Sequence, residues 1–528
     1  MEPAECTQRV EELLADLRHK GATLWTENGQ LRYQARRGVL TSADFSNIRA
    51  LKDEICLYLV SSGQEGLDEL PLRARANGQT VPLTFSQAWL WNAYHLQRSS
   101  YRTVSTAIRI RDSLCVPTLQ RALTWLISRH QSLRTQIVMF GSIPIQDIAE
   151  SLSYELQVLD MTNGLENDRL CAAGEIIKRQ IATPFDLVTD PIFTANLIKL
   201  GPGDHILMVA LDHLFADDTS LQVLLTELFA VYFQLERGLS PTLPPIRVHF
   251  PDYAVWQRQP ARYQAASRRE YWQHTLGGAK RLRVFSGDAP REDERCYGRP
   301  RYVPVALGAE LSASLRRFSR TSGTTLPMSM LCAYVALLSR WCEASDIVVP
   351  FISMGRVHPE LQTSIGYFAS PLFLRINIRD DDSLASLLER IVGIYAQAVE
   401  QYDFGELVSG VSLPEFEPNA SFNWVPPEYV NIAADLTGIA RGESAQTLRF
   451  ESFDLGNPLE YVDWGIEWDR EPALYLSDTN GEVIGTITYI IGTAPHDVVS
   501  RFARNYQMLC RLLTTQPATR LRTIACVS

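Results

Sequence analysis

The stretch HILMVALDHLFADDTSLQVLLTELFAVYFQL, residues 205–235, decides how this chain reads. His205 to Leu211 is a short, nearly continuous apolar run, the pattern of a strand buried on both faces. From Leu221 to Leu235 the apolar positions return at helical spacing. Thr219, followed three residues later by Gln222, fits a capping box at the start of that helix. His213 therefore falls between the end of a buried strand and a helix N-terminus. The strand fixes the side chain, and the helix dipole favours negative charge developing beside it. The spacing His213-x-x-x-Asp217 sets an imidazole that can take a proton next to a carboxylate that can lock the loop. By itself, the same spacing suits an ordinary core or surface histidine.

Around this stretch, 528 residues exceed a single ordinary core and imply two or more domains. The 46% apolar and 21% charged fractions are those of a soluble globular protein. A net charge of −10 disfavours nucleic acid and anionic membranes as partners, because phosphate contacts need clustered Lys and Arg. The acidic, amphipathic start MEPAECTQRVEELL is not a signal peptide. The apolar run Met328 to Leu338 is too short to span a bilayer, so a cytoplasmic protein is expected. The cysteines are scattered without a CxxC pair, and neither a metal site nor a disulfide framework is expected.

Four segments follow from the pattern. Residues 1–62 open with Val10, Leu13, Leu14 and Leu17 at helical spacing. Asn28-Gly29 then marks a tight hairpin turn between strands at Leu24-Trp25 and Leu31-Arg32-Tyr33. After Gly38 comes a second helix, with Thr41 or Ser42 as its cap. Residues 63–80 lack periodicity and read as a linker. Residues 81–285 and 286–528 each mix helices and strands, an α/β pair of lobes joined through FSGDAPREDERCYGRPR.

The first segment resembles the small N-terminal docking domains of the tubulysin-synthetase type. LLADLRHKGATLWTENGQLRYQARRGVLT (13–41) and IRALKDEI (48–55) carry the likeness. It implies a grip on the C-terminal tail of an upstream synthetase protein, by strand addition at the hairpin edge. Trp25, Arg32, Tyr33, Arg36 and Arg37 are the docking candidates. With Arg18 and Lys20 against only Glu27, they call for an acidic tail.

The remainder resembles the condensation domains of non-ribosomal peptide synthetases. LTFSQAWLW (83–91), SRHQSLRTQI (128–137), ALDHLFADDTS (210–220), FPDYAVWQ (250–257), DIVVPFISMGR (346–356), SIGYFASPLFLR (364–375) and PNASFNW (418–424) follow the family's segments in order. The resemblance implies two chloramphenicol-acetyltransferase-like lobes in a V around a central tunnel. A donor carrier protein and an acceptor carrier protein, or a free small-molecule acceptor, meet at its two ends. Substrates arrive on phosphopantetheine, and no bound cofactor is implied. The expected activity is acyl transfer from a carrier-bound thioester to an amine or a hydroxyl. No adenylation or carrier segment follows the NYQMLCRLL helix before Ser528, so a stand-alone enzyme fed by other proteins is expected.

Residue by residue, the resemblance makes His213 the catalytic histidine and Asp217 the motif aspartate, with Arg356 its candidate salt-bridge partner. Arg129 and Arg134 read as structural. Trp256 is placed on the tunnel or in the core. Asp212 stands where the motif's first histidine is usual, and Asp218 where glycine is usual. Ser370 and Pro371 replace the Asn and Thr of the fifth segment. Asp212, Asp218, Ser220 and Ser370 are thus candidates for substrate contact, with Asp218 able to hold a cationic group. Two alternatives stay open. Asp212, Asp217 and Ser220 also spell the DxxxxDxxS signature of heterocyclising relatives. The altered positions also suit a non-catalytic domain that recruits other enzymes to a carrier protein.

Overall fold

The computed structural model describes residues 72–97, 103–258, 265–285, 300–401, 420–425, 432–443, 448–455 and 472–525, apart from isolated positions. It also describes strands at 23–27 and 30–34 and scattered helical positions on either side of them. Of the linker and the connection between lobes, residues 63–71 and 286–299 lie outside the described residues. The chain divides into two compact units, residues 1–73 with 256–265, and residues 74–255 with 266–528.

In the first unit, β1 (Thr23–Glu27) and β2 (Gln30–Gln34) form an antiparallel hairpin. Trp25 pairs with Arg32, Leu24 with Tyr33, and Glu27 with Gln30. Thr41 caps the following helix: its hydroxyl accepts the Asp44 amide at 3.3 Å, and the Asp44 carboxylate accepts the Thr41 amide at 2.8 Å. Leu17, Ile48 and Ile55 are buried. Arg36 and Arg37 lie outside the described residues.

The second unit carries the remaining described strands. They are β3 (Val81–Pro82), β4 (Thr103–Arg111), β5 (Thr135–Phe140), β6 (Ile143–Ile148), β7 (Gln157–Asp160), β8 (Phe193–Gly201), β9 (Asp204–Asp212), β10 (Pro300–Ala306), β11 (Asp346–Ser353), β12 (Ser370–Asn377), β13 (Ser421–Val425), β14 (Arg449–Ser452), β15 (Ala473–Thr479) and β16 (Glu482–Ile490). They make a five-stranded sheet β14-β4-β9-β8-β7, a six-stranded sheet β10-β16-β15-β13-β11-β12, and a small sheet β3-β6-β5.

β9 lies at the centre of the five-stranded sheet, antiparallel to β4 and β8. Its alternate side chains enter two different cores. Leu207, Val209 and Leu211 pack in one with the helices Val116–Arg129 and Asp218–Glu236. Ile206, Met208 and Ala210 pack in the other with Ala173, Ile177 and Ile181 of the helix Glu166–Ala182. Burial on both faces is why the strand reads as an unbroken apolar run. Each fully buried Leu or Ile here stabilises by about 1.5–3 kcal/mol.

The six-stranded sheet is covered by the helices Leu326–Cys342, Leu384–Glu400 and His496–Thr515 around a large apolar core. Residues Met328 to Ser339 of the first of these are all buried in it. Among the described residues no single helix is long and apolar enough to cross a membrane.

The two sheets do not divide between residues 285 and 286. β14 pairs with β4, register Phe450↔Ile110, and Ile432, Ala433 and Leu436 of the helix Ile432–Glu443 pack in the first sheet's core. The C-terminal half thus completes the N-terminal sheet.

Candidate functional site

β9 ends at Asp212, and the next five residues turn the chain into the helix Asp218–Glu236. Three bonds set that turn. The Leu214 amide donates to Asp212 Oδ1 at 2.8 Å. Asp217 is the N-cap: its Oδ1 accepts the Ser220 amide at 2.9 Å, while Ser220 Oγ accepts the Asp217 amide at 3.3 Å. The capping box is therefore Asp217/Ser220, two residues before the Thr219/Gln222 pair expected from sequence. A carboxylate at the N-cap meets the helix's positive end, which a threonine hydroxyl would do only weakly.

The second half of the site arrives on the connection between β11 and β12. Gly355 has φ +68° there, a left-handed turn that glycine adopts without strain, and Arg356 follows it. The Arg356 guanidinium donates to Asp217 Oδ2 at 2.6 Å, to Ser220 Oγ at 3.0 Å and to the Ser364 carbonyl at 3.2 Å. It also lies 4.5 Å from the Phe368 ring centroid. The Phe368 amide donates to Asp217 Oδ2 at 3.2 Å, and the Gly366 amide to Ser220 Oγ at 3.0 Å. Asp217 and Arg356 are thus a buried pair that joins the helix start to this connection, both carboxylate oxygens and both terminal guanidinium nitrogens bonded and the Arg356 Nε without a partner among the described residues.

His213 is half-buried. Its Nδ1 lies 2.7 Å from the Ala216 carbonyl oxygen. A carbonyl only accepts, so Nδ1 carries a hydrogen, and in its neutral form the ring has its lone pair on Nε2. Tyr367 packs against the imidazole with ring centroids 4.9 Å apart and planes at 59°. No sequence reading singled out Tyr367; the only signal was its place between Gly366 and Phe368 in the fifth segment.

The acids around the histidine have different fates. Asp212 is 0% exposed and holds the Leu214 amide. Ser220 is also 0% exposed, inside the Arg356 network. Both are candidates for substrate contact from sequence, and both side chains are interior in this structure. Ser370, 2% exposed at the start of β12, is interior too, its hydroxyl without a partner among the described residues. Trp256 is 3% exposed on the helix Phe250–Gln257 and is likewise an interior side chain.

Asp218 differs: its side chain is reached by solvent, yet protein surrounds it closely. Burial pushes its carboxyl above the usual carboxylate range, with the Asp217 charge adding to that and His213 opposing it. Of Asp212, Asp217 and Asp218, it is the one whose side chain solvent reaches.

Arg129 and His130 of the second segment both bond Glu227, at 2.9 and 2.8 Å, and serve packing. A polar cavity of about 590 Å³ lies elsewhere in this unit, lined by Arg75, Gln131, His249 and Asp252 among others. An ion pair at 2.6 Å joins Arg75 to Asp252, and burial lowers the His249 imidazole to about 4. None of the residues around His213 lines this cavity.

Residues 77–439 match the condensation domain and residues 10–60 the TubC N-terminal docking domain. The chain belongs to the condensation-domain family of non-ribosomal peptide synthetases and carries a TubC-type docking domain. Three linear gramicidin synthase proteins of Brevibacillus parabrevis are 26 to 31% identical over 65 to 87% of this chain. The chain spans only 6 to 9% of their length. The X-domain from teicoplanin biosynthesis superposes with a TM-score of 0.71 at 22% identity, covering 86% of this chain and all of that domain. That X-domain has also been solved in complex with OxyB. The first condensation domain of the CDA synthetase gives a TM-score of 0.63 at 18% identity, over 85% of this chain and all of that domain. The expected fold class, α/β and chloramphenicol-acetyltransferase-like, is the one found.

Proposed function

We propose that this chain is a condensation catalyst that transfers an acyl or peptidyl group from the phosphopantetheine thioester of a donor carrier protein to an amine. The observation that carries this reading is the His213 hydrogen bond: Nδ1 is committed to the Ala216 carbonyl, which leaves Nε2 as the acceptor of the neutral ring, near a solvent-reached carboxylate.

The acceptor enters as an ammonium ion and gives one proton to Asp218, whose raised pKa suits it to that task. The freed amine attacks the thioester carbon, and Nε2 of His213 takes the second proton as the carbon–nitrogen bond forms. The tetrahedral intermediate then collapses. The carbon–sulfur bond breaks, and the proton on Nε2 passes to the pantetheine sulfur. Asp217 and Arg356 hold the loop and touch no substrate. Residues 1–62 bring in the donor, gripping an acidic tail of the upstream synthetase along the β1–β2 hairpin through Trp25, Arg32, Tyr33, Arg36 and Arg37. Ordinary condensation is preferred to heterocyclisation because Asp212 and Ser220 of the DxxxxDxxS pattern are interior. A hydroxyl acceptor would need no such proton sink.

A second reading is favoured by the likeness to the X-domain solved in complex with OxyB. Under it, this chain recruits a partner enzyme to a carrier protein without forming a bond.

The deciding experiment offers donor-loaded carrier with amine and hydroxyl acceptors to wild type and His213→Ala, and weighs the products by intact-protein mass spectrometry. Transfer by wild type alone supports catalysis and identifies the bond. Silence from both, with carrier binding intact, supports recruitment.

A further inference from the structure

The tyrosine beside the catalytic histidine has the position of a third participant. Buried tyrosines elsewhere in this unit commit their hydroxyls to protein: Tyr232 accepts the Cys115 amide at 3.0 Å, Tyr334 donates to the Pro472 carbonyl at 2.9 Å, and Tyr506 to the Met330 carbonyl at 3.3 Å. This is the common fate of a phenol taken out of water, because the hydroxyl needs a partner to offset its lost hydration.

Tyr367 is just as enclosed, at 8% exposure, but among the described residues its hydroxyl bonds nothing. The oxygen is not sealed off either: it is absent from the buried polar atoms that lack both solvent and a partner. The ring is gripped and the polar end is left reachable. The ring's position is not free to drift. It lies against the His213 imidazole, and the amides of its two neighbours, Gly366 and Phe368, donate to Ser220 and Asp217. Burial first, and the Asp217 charge second, push the phenol above its ordinary range, so it stays a proton donor at any working pH.

A rigid, protonated, unpartnered hydroxyl beside the base is what a developing oxyanion requires. In the mechanism proposed above, Nε2 of His213 takes a proton from the nucleophile, so it cannot also donate to the carbonyl oxygen as attack begins. We propose that the Tyr367 hydroxyl donates a hydrogen bond to the thioester carbonyl oxygen and stabilises the negative charge that gathers there in the tetrahedral intermediate. No proton is transferred to that oxygen; the bond shortens as charge builds and relaxes as the carbonyl re-forms.

This assignment rests on the catalytic reading of His213, and the test separates the two. Single-turnover transfer is measured for wild type, His213→Ala and Tyr367→Phe. A pantetheine-linked phosphonate, tetrahedral and anionic, is titrated against wild type and Tyr367→Phe, with an uncharged, planar amide analogue as control. Phenylalanine keeps the ring contact with His213, so thermal stability and carrier binding should be unchanged. The rate constant should fall roughly a hundredfold. Phosphonate binding should weaken at least tenfold, while amide-analogue binding holds. A Tyr367→Phe rate within threefold of wild type overturns this proposal and leaves the catalytic reading standing. Equal loss of phosphonate and amide binding also overturns it, since that is the mark of a packing role. A wild type as silent as His213→Ala removes both.

Discussion

Arg356 reaches Asp217 across 139 positions of sequence and bonds it at 2.6 Å, with the two side chains only 4% and 2% exposed. Two charges so deeply desolvated are stable as a pair and costly apart. Arg356→Ala leaves the Asp217 carboxylate buried without its cation, and should cost about 3–5 kcal/mol. Arg356→Met combined with Asp217→Leu removes both charges and should recover much of that loss. Chemical denaturation of the three proteins tests it. A double variant no more stable than Arg356→Ala would mean that the bonds to Ser220 and Ser364, not the charge pair, hold this connection in place.

Asp218 gives the reaction a pH dependence whose sign follows from its raised carboxyl. It can take the acceptor's proton only when ionised. Below its raised pKa the folded protein carries it protonated, so the acceptor KM should climb as pH falls through that value. At higher pH the effect disappears. Asp218→Asn cannot ionise and should show a high KM without this limb, worth roughly tenfold or more at neutral pH. Steady-state kinetics between pH 5 and pH 9 settle the matter, and an Asn variant that keeps the wild-type KM profile would take Asp218 out of acceptor binding.

Gly366 precedes the tyrosine, and a Cβ on it would lie 2.2 Å from Cδ2 and 2.6 Å from Cβ of Phe250. Phe250 in turn packs edge-on to Phe368, ring centroids 4.9 Å apart. Gly366→Ala must therefore push Phe250 away or lift the Tyr367–Phe368 backbone off Asp217. We expect a loss of about 1–3 kcal/mol from overpacking, and a slower reaction as the site spreads. Phe250→Leu in the same chain frees space and should return part of both. Losses that simply add would show that the two residues do not compete for one volume.

How much of this was legible beforehand depends on how local the determinant is. β9 and its helix could be read because each records its burial within its own residues: a continuous run for a strand covered on both faces, a 3.6-residue rhythm for the helix. The β1–β2 hairpin was legible at Asn28-Gly29 for the same reason, since the turn's backbone demands those residues. The cap was misplaced by two residues because S/T-x-x-Q spacing says nothing about which side chain the neighbouring Arg356 will neutralise. β14 was unreadable as part of the first sheet: its partner β4 lies some 340 residues earlier, as Glu451 and Arg111 show, and no local pattern records a strand's choice of sheet. The burial of three substrate-side candidates was not legible, and for one common reason. Asp212, Ser220 and Ser370 occupy motif positions, but a motif also contains the residues that shape a loop from inside, and polarity alone cannot tell a buried bracket from an open wall. Tyr367 was missed for the converse reason, as its contact with His213 is made only when the β11–β12 connection folds back.

The docking assignment can be tested apart from the chemistry. The β1–β2 hairpin is antiparallel with a five-residue strand on each side, and a two-stranded sheet has two edges to which a peptide strand can add. Its surroundings in sequence carry Arg18, Lys20, Arg32, Arg36 and Arg37 against Glu27, inside a chain of net charge −10. That local reversal of sign favours an acidic segment as the bound partner. Deleting residues 1–62 should abolish binding of an acidic upstream tail peptide and raise the apparent KM for the donor-loaded upstream protein. Turnover of a small pantetheine thioester at saturation should remain close to wild type. Affinity should fall as salt rises from 0.05 to 0.5 M, since the Debye length shrinks from roughly 14 Å to roughly 4 Å over that range. Replacing Arg32, Arg36 and Arg37 by Glu should abolish binding of the acidic tail and confer binding of a charge-reversed, Lys-substituted one. A tail bound equally well at both salt concentrations would transfer the recognition from charge to the apolar residues Trp25 and Tyr33, while loss of small-thioester turnover on deletion would make residues 1–62 part of the fold of the catalytic unit and not a docking module.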